Sequence, residues 1–219
     1  MGVILLVRHG QASWGAADYD VLSEAGVEQS RMLGAALAAR GVEPTLLLAG
    51  SMRRHAQTAS AAREGAGWSL DAEVDPGWNE FDHVQMLEVH GSPEAAADGQ
   101  LTRQQFDAWF DAAVVTWTTG SQDSEYEEPF HAFTARVEAA FRRTAAGLGS
   151  GDVAVVFTSG GPISWVAATL LRGGVDTWTR LNPVTVNASF AKVVVGGRGT
   201  TLVSFNEHGH LEPAHVTYR

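Results

Sequence analysis

The chain has 219 residues, 45% of them hydrophobic, and a formal net charge of −10. That length supports one full core, and the acidic balance argues against nucleic acid or an anionic membrane as partner, since both need a basic face. With no cysteine in the sequence, disulfides, thiolate chemistry and cysteine-based metal sites are excluded.

The N-terminal residues form an apolar strand, Val3 to Val7, that stops at Arg8-His9-Gly10. They lack the charged and long apolar regions of a signal peptide, and no apolar run approaches the roughly 20 residues that span a bilayer. A cytoplasmic protein is the expectation. A helix follows from about Ser23, a suitable N-cap, to Arg40, with Gly41 as its stop. Leu46 to Ala49 reads as a second strand, Arg54 to Glu64 as a helix, and Ser69 to Val74 as a short strand. Phe130 to Leu148 reads as a helix and Val153 to Phe157 as the fourth strand. Gly160-Gly161-Pro162 opens a helix to about Leu171, and Ala191 to Val195 with Thr201 to Phe205 form a hairpin. Alternating strands and helices predict an α/β fold: three layers, a mostly parallel central sheet and helices on both faces.

One segment breaks the alternation. Gly77 to Pro129 carries three tryptophans, short amphipathic pieces and the acids Asp107, Asp111, Asp123, Glu125, Glu127 and Glu128, with Arg103 its only arginine. It reads as a helical insertion over the active-site end within a single domain, 1–219, and as a lid.

Four spots at or near strand ends combine into one constellation. Arg8-His9-Gly10 puts a planar cation and an imidazole beside a flexible turn, where open α/β sheets build sites. Arg53 and Arg54 open the helix after the second strand, and Asn79-Glu80-Phe81-Asp82 places carboxylates at the root of the insertion. Thr158-Ser159-Gly160-Gly161 offers backbone N–H groups at a helix N-terminus, an anion site. The C-terminal His208, His210 and His215 read as loop and strand-end residues, with metal binding the minor alternative.

Arg8-His9-Gly10, Leu22-Ser23-Glu24-Ala25-Gly26, Arg54-His55-Ala56-Gln57-Thr58-Ala59, Asn79-Glu80 and Gly160-Gly161 together resemble the histidine phosphatase, or phosphoglycerate-mutase-like, superfamily over nearly the whole chain. The resemblance implies that His9 accepts the phosphoryl group and that Arg8 and Arg54 clamp its oxygens, with Gly10, Ser159 and Gly160 completing the phosphate pocket. Glu80 would protonate the leaving oxygen and then activate water, for which its pKa must rise toward neutrality; Asp82 is the alternative acid. No metal or other cofactor is implied.

The chain departs from the family pattern at two positions. Ser159 stands where the family places a second histidine, and Gly15 where many members place an asparagine. Loss of a transition-state donor often costs ~10²–10³ in rate; Ser13, Thr158, His83 and His210 are the candidate substitutes. Trp14 and Trp78 flank motif positions as pocket-lining candidates.

The leading expectation is phosphomonoester hydrolysis through phospho-His9, with a small phosphorylated substrate, no nucleic acid and no membrane. Phosphoglycerate mutase-type transfer is an alternative, disfavoured by the acidic insertion. A phospholigand-binding protein weakened in catalysis by Ser159 is another. An apolar edge leaves a homodimer open.

Overall fold

In the computed structural model, residues 1–13, 20–91 and 101–218 are described. Gly2–Arg8 forms strand β1 at the middle of the sheet because its side chains are apolar on both faces. Leu46–Ala49 is β2, Ala72–Val74 is β3 and Val153–Thr158 is β4. Phe190–Gly196 and Gly199–Glu207 are β5 and β6. The sheet runs β3-β2-β4-β1-β5-β6. β3, β2, β4 and β1 are mutually parallel, whereas β5 runs antiparallel to β1 and pairs with β6 as the expected hairpin. Register places Arg8 opposite Thr158, so the first and fourth strands end side by side.

The helices are Glu24–Ala39 (α1), Arg53–Ala66 (α2), His83–His90 (α3), Arg103–Thr119 (α4), Phe130–Ala146 (α5), Gly160–Leu170 (α6) and Gly174–Leu181 (α7). Ser23 caps α1 by accepting from the Gly26 N–H at 3.1 Å, and Gly41, at φ +73°, follows its end. Alternation along the strands sends Leu5, Val7, Leu47, Ala49, Val155 and Phe157 to one face, where they pack with Leu33 and Leu37 of α1 and Ala59 and Ala62 of α2. Ile4, Leu6, Ala154 and Val156 point the other way and are equally buried.

Two compact units are present: Met1–Glu80 with Val137–Arg219, and Phe81–Arg136. The sheet unit extends past the expected insertion start at Gly77. The Trp78 carbonyl accepts from the Thr158 hydroxyl, and Asn79 exchanges hydrogen bonds with Ser51, tying that loop to the strand ends. The second unit has its own apolar centre. Phe81, Phe130 and Phe133 surround the buried Trp117, with ring centroids 4.8, 5.0 and 5.6 Å from it. Thr102 and Gln105 form a capping box at the start of α4. Among the described residues no helix is long and apolar enough to cross a membrane.

Candidate active site

The chain leaves β1 at His9, and the backbone there is tightly fixed. The His9 N–H donates to the Thr158 carbonyl at 2.8 Å, and the His9 carbonyl accepts from the Ala188 N–H at 3.1 Å and Asn187 Nδ2 at 3.3 Å. The side chain is only 4% exposed. Its Nδ1 lies 2.7 Å from the Gly10 carbonyl oxygen. A carbonyl can only accept, so Nδ1 carries the proton and Nε2 of the neutral ring keeps its lone pair. Burial pushes the His9 pKa well below its ordinary value. Arg54, Arg8 and His55 add to that effect, and the Gly10 hydrogen bond opposes it. The ring is therefore neutral at neutral pH, as an attacking imidazole must be.

Gly10 is required by close approach. A Cβ there would sit 2.2 Å from the Gly26 carbonyl oxygen and 2.7 Å from Ser30 Oγ. The motif thus lies directly against α1, and its own N–H donates to Thr58 Oγ1 of α2 at 3.1 Å. Thr58 in turn donates to the Arg54 carbonyl at 2.7 Å. One hydroxyl therefore joins the Arg-His-Gly turn to the helix that carries Arg54.

Arg54 is 5% exposed, and its Nη1 donates to Asp20 Oδ1 at 2.8 Å. Asp20 Oδ2 also accepts from the Arg53 N–H at 2.8 Å, so one carboxylate holds both the guanidinium and the start of α2. A buried cation needs such a partner. Arg8 is anchored by donation from Nη1 to the Thr185 carbonyl. Glu80 reaches α6, where its Oε2 accepts from the Gly161 N–H at 3.0 Å. A carboxylate is favoured at a helix N-terminus, and when Oε2 accepts this bond a proton on the acid sits on Oε1. Gly160 has no space for a side chain: a Cβ would stand 2.9 Å from Asn182 Oδ1 and 3.8 Å from Arg8 Nε. All these groups lie in the sheet unit.

A family model described as the histidine phosphatase superfamily (branch 1) matches residues 4–208. The chain belongs to that superfamily. It is 30% identical over 122 residues to a 2,3-bisphosphoglycerate-dependent phosphoglycerate mutase of Erythrobacter litoralis (strain HTCC2594), a match covering 49% of this chain and 52% of the relative, about half of each. Among solved structures it is similar to a phosphoserine phosphatase variant from Entamoeba histolytica in complex with phosphoserine. The TM-score is 0.66 at 15% identity, covering 97% of this chain and 100% of that one. It is likewise similar to a phosphoglycerate mutase from Bacillus anthracis, with a TM-score of 0.67 at 19% identity, covering 95% of this chain and 94% of that one. At those identities the structural likeness establishes the fold.

Within this superfamily member, the position expected to hold a second histidine is Ser159, fully buried at the N-cap of α6. Its Oγ lies 2.7 Å from His55 Nε2. The His55 and His9 ring centroids are 5.8 Å apart. His55 is itself fully buried, and burial, followed by the Arg54 charge, lowers its pKa to about 3. The sequence-based candidates for a substitute donor omit this residue. Its signal is its place on the buried stripe of α2 with Thr58, Ala59 and Ala62, at helical spacing. Asp20 is a further contributor that lies outside the motifs, and Thr58 lies within the Arg54–Ala59 motif without a role being read from it.

Of the remaining candidates, Thr158 and Asp82 have their side chains committed to other hydrogen bonds. The Thr158 hydroxyl donates to the Trp78 carbonyl. His210 stacks on Phe190 with centroids 6.4 Å apart. Asp82 caps α3, accepting from the Val84 and Gln85 N–H groups at 2.9 and 3.0 Å, and it lies with His83 in the second unit. The Ser13 N–H donates to the Val21 carbonyl at 2.8 Å, in the short pairing between Ala12 and Leu22. Trp78 is fully buried. Gly15 and Trp14 lie outside the described residues.

Proposed function

We propose that the chain hydrolyses phosphomonoesters through a phosphohistidine at His9. The observation that carries this reading is the His9 ring itself: neutral, with Nδ1–H committed to Gly10 and the Nε2 lone pair free, beside the charges of Arg8 and Arg54. In the first half-reaction Nε2 attacks phosphorus and the bond to the leaving oxygen breaks. Glu80 Oε1 gives that oxygen its proton, and the two guanidiniums balance charge on the transferred group. In the second, the Glu80 carboxylate takes a proton from water as the water oxygen attacks phosphorus, and the N–P bond breaks to release inorganic phosphate. The positive charge that a metal would supply comes from the arginines in this reading.

Phosphoglycerate mutase-type transfer is the second reading, favoured by the partial match to the Erythrobacter litoralis mutase. The two differ in where the phosphoryl group goes. Incubation with a panel of phosphomonoesters that includes 3-phosphoglycerate, in the presence of a chelator, should release inorganic phosphate, and His9→Ala should abolish the release. Isomerised phosphoglycerate with little free phosphate would establish the mutase instead. Binding without turnover would favour a phospholigand-binding protein.

A further inference from the structure

The geometry points to His55 as a positioning residue that, acting through the Ser159 hydroxyl, supplies the phosphoryl-oxygen hydrogen bond expected from a second histidine. The inference rests on the phosphoryl-binding reading of the site. His55 projects from α2 one residue after the clamp arginine, and its Nε2 meets Ser159 Oγ at 2.7 Å. Its other ring nitrogen, Nδ1, is buried without a hydrogen-bond partner among the described residues. A proton on Nδ1 would leave a buried donor unpaired, which is the costlier arrangement, so the proton belongs on Nε2. Nε2–H then donates to Ser159 Oγ. A hydroxyl that accepts one hydrogen bond still has its own proton to donate, and acceptance makes that proton a better donor.

Two further features fit a built dyad. Gly50 makes room for the ring: a Cβ there would stand 2.3 Å from His55 Nδ1. Ser159 N-caps α6, yet its side chain makes no capping bond, so the hydroxyl is not used by the helix it starts. Neighbours of His55 include His9, at 5.8 Å between ring centroids, and Arg54, whose charge helps keep His55 neutral. The relay therefore provides a neutral donor and leaves the charge on the anion to Arg8 and Arg54. The expected loss of a donor at Ser159 is thereby made good by a residue from a different element.

The test is a double-mutant cycle read in two ways: turnover of p-nitrophenyl phosphate and affinity for orthovanadate. His55→Leu and Ser159→Ala should each lower both by roughly 10–100-fold, a neutral donor contributing less than a charged one. The double variant should fall no further than either single variant. His55→Gln keeps an N–H at comparable reach and should stay within about fivefold of the parent. Additive losses, or a Gln variant as impaired as the Leu variant, would overturn the relay. Nitrogen NMR of the unmodified protein gives an arm that needs no variant to fold. The proton should be on Nε2 of His55, and that resonance should move when vanadate binds; a proton on Nδ1, or an unmoved signal, contradicts the inference. A parent protein that binds vanadate without turnover removes the phosphatase reading while the affinity cycle still decides the dyad. One that binds no vanadate overturns both.

Discussion

Two buried histidines, His9 and His55, are both held neutral in this protein. For His55 the pKa is lowered to about 3, whereas in the unfolded chain a histidine titrates near 6.5. The unfolded state therefore binds the proton more readily. The stability linked to His55 is complete above about pH 6.5 and is lost as pH falls toward 3, with a slope approaching about 1.4 kcal/mol per pH unit between those values. The His9 pKa moves in the same direction. Denaturant unfolding followed from pH 7 to pH 4 should show stability falling with acid, and His55→Gln should make that fall shallower; parallel curves would contradict the assignment. Gly10 yields a steric prediction at the same scale. Because backbone and Ser30 atoms block a Cβ, Gly10→Ala should cost at least about 1–3 kcal/mol and most activity, as measured by thermal unfolding and phosphate release. Arg8, His9 and Gly10 were legible in the sequence because their types and order state the chemistry. His55 was legible only in part: helical spacing puts it on the buried stripe of α2 but does not tell what its ring meets there. Only the fold brings it to Ser159.

Among the elements, the strand ends do most of the positioning. β1 and β4 are parallel and in register, so Arg8 and Thr158 finish together and the turns that follow each carry site residues. That much follows from apolar runs ended by Arg-His-Gly and Ser-Gly-Gly. The support behind the second turn does not. α7 begins at Gly174 and is too short for its apolar spacing to stand out, yet its Trp178, 1% exposed, donates from Nε1 to the Gly161 carbonyl at 3.1 Å. Gly161 also holds Glu80 through its N–H. Trp178→Phe keeps most of the packing and removes that bond. It should cost about 1 kcal/mol in stability and, if Glu80 acts in the chemical steps as proposed, reduce turnover, with the KM for substrate less affected than kcat. An unchanged kcat with the same loss of stability would show that the support is structural alone.

For the whole molecule, the alternation of strands and helices announced an α/β sheet, and the late β-branched pair announced its antiparallel edge. The extent of the second unit was less legible. It runs from Phe81 to Arg136 instead of Gly77 to Pro129, because Trp78 and Glu80 bond to the sheet unit and Phe130 and Phe133 complete the aromatic centre around Trp117. Its acidity is only slightly offset locally: Glu128 pairs with Arg136 at 2.6 Å and Asp107 with Arg103 at 3.8 Å, the unit's two arginines, and the other carboxylates keep it strongly acidic. Trp117→Ala should remove about 3–5 kcal/mol from the second unit, visible as faster amide exchange in α3 and α4.

The most direct test of the account is a rapid-quench labelling experiment at His9. Protein mixed with a turned-over phosphomonoester, quenched in alkali within milliseconds and analysed by mass spectrometry should carry one phosphoryl group on His9 Nε2. The label should disappear as inorganic phosphate accumulates and should be absent in His9→Ala. Phosphate release without label at His9, or with undiminished rate in His9→Ala, would contradict a phosphohistidine mechanism in this chain.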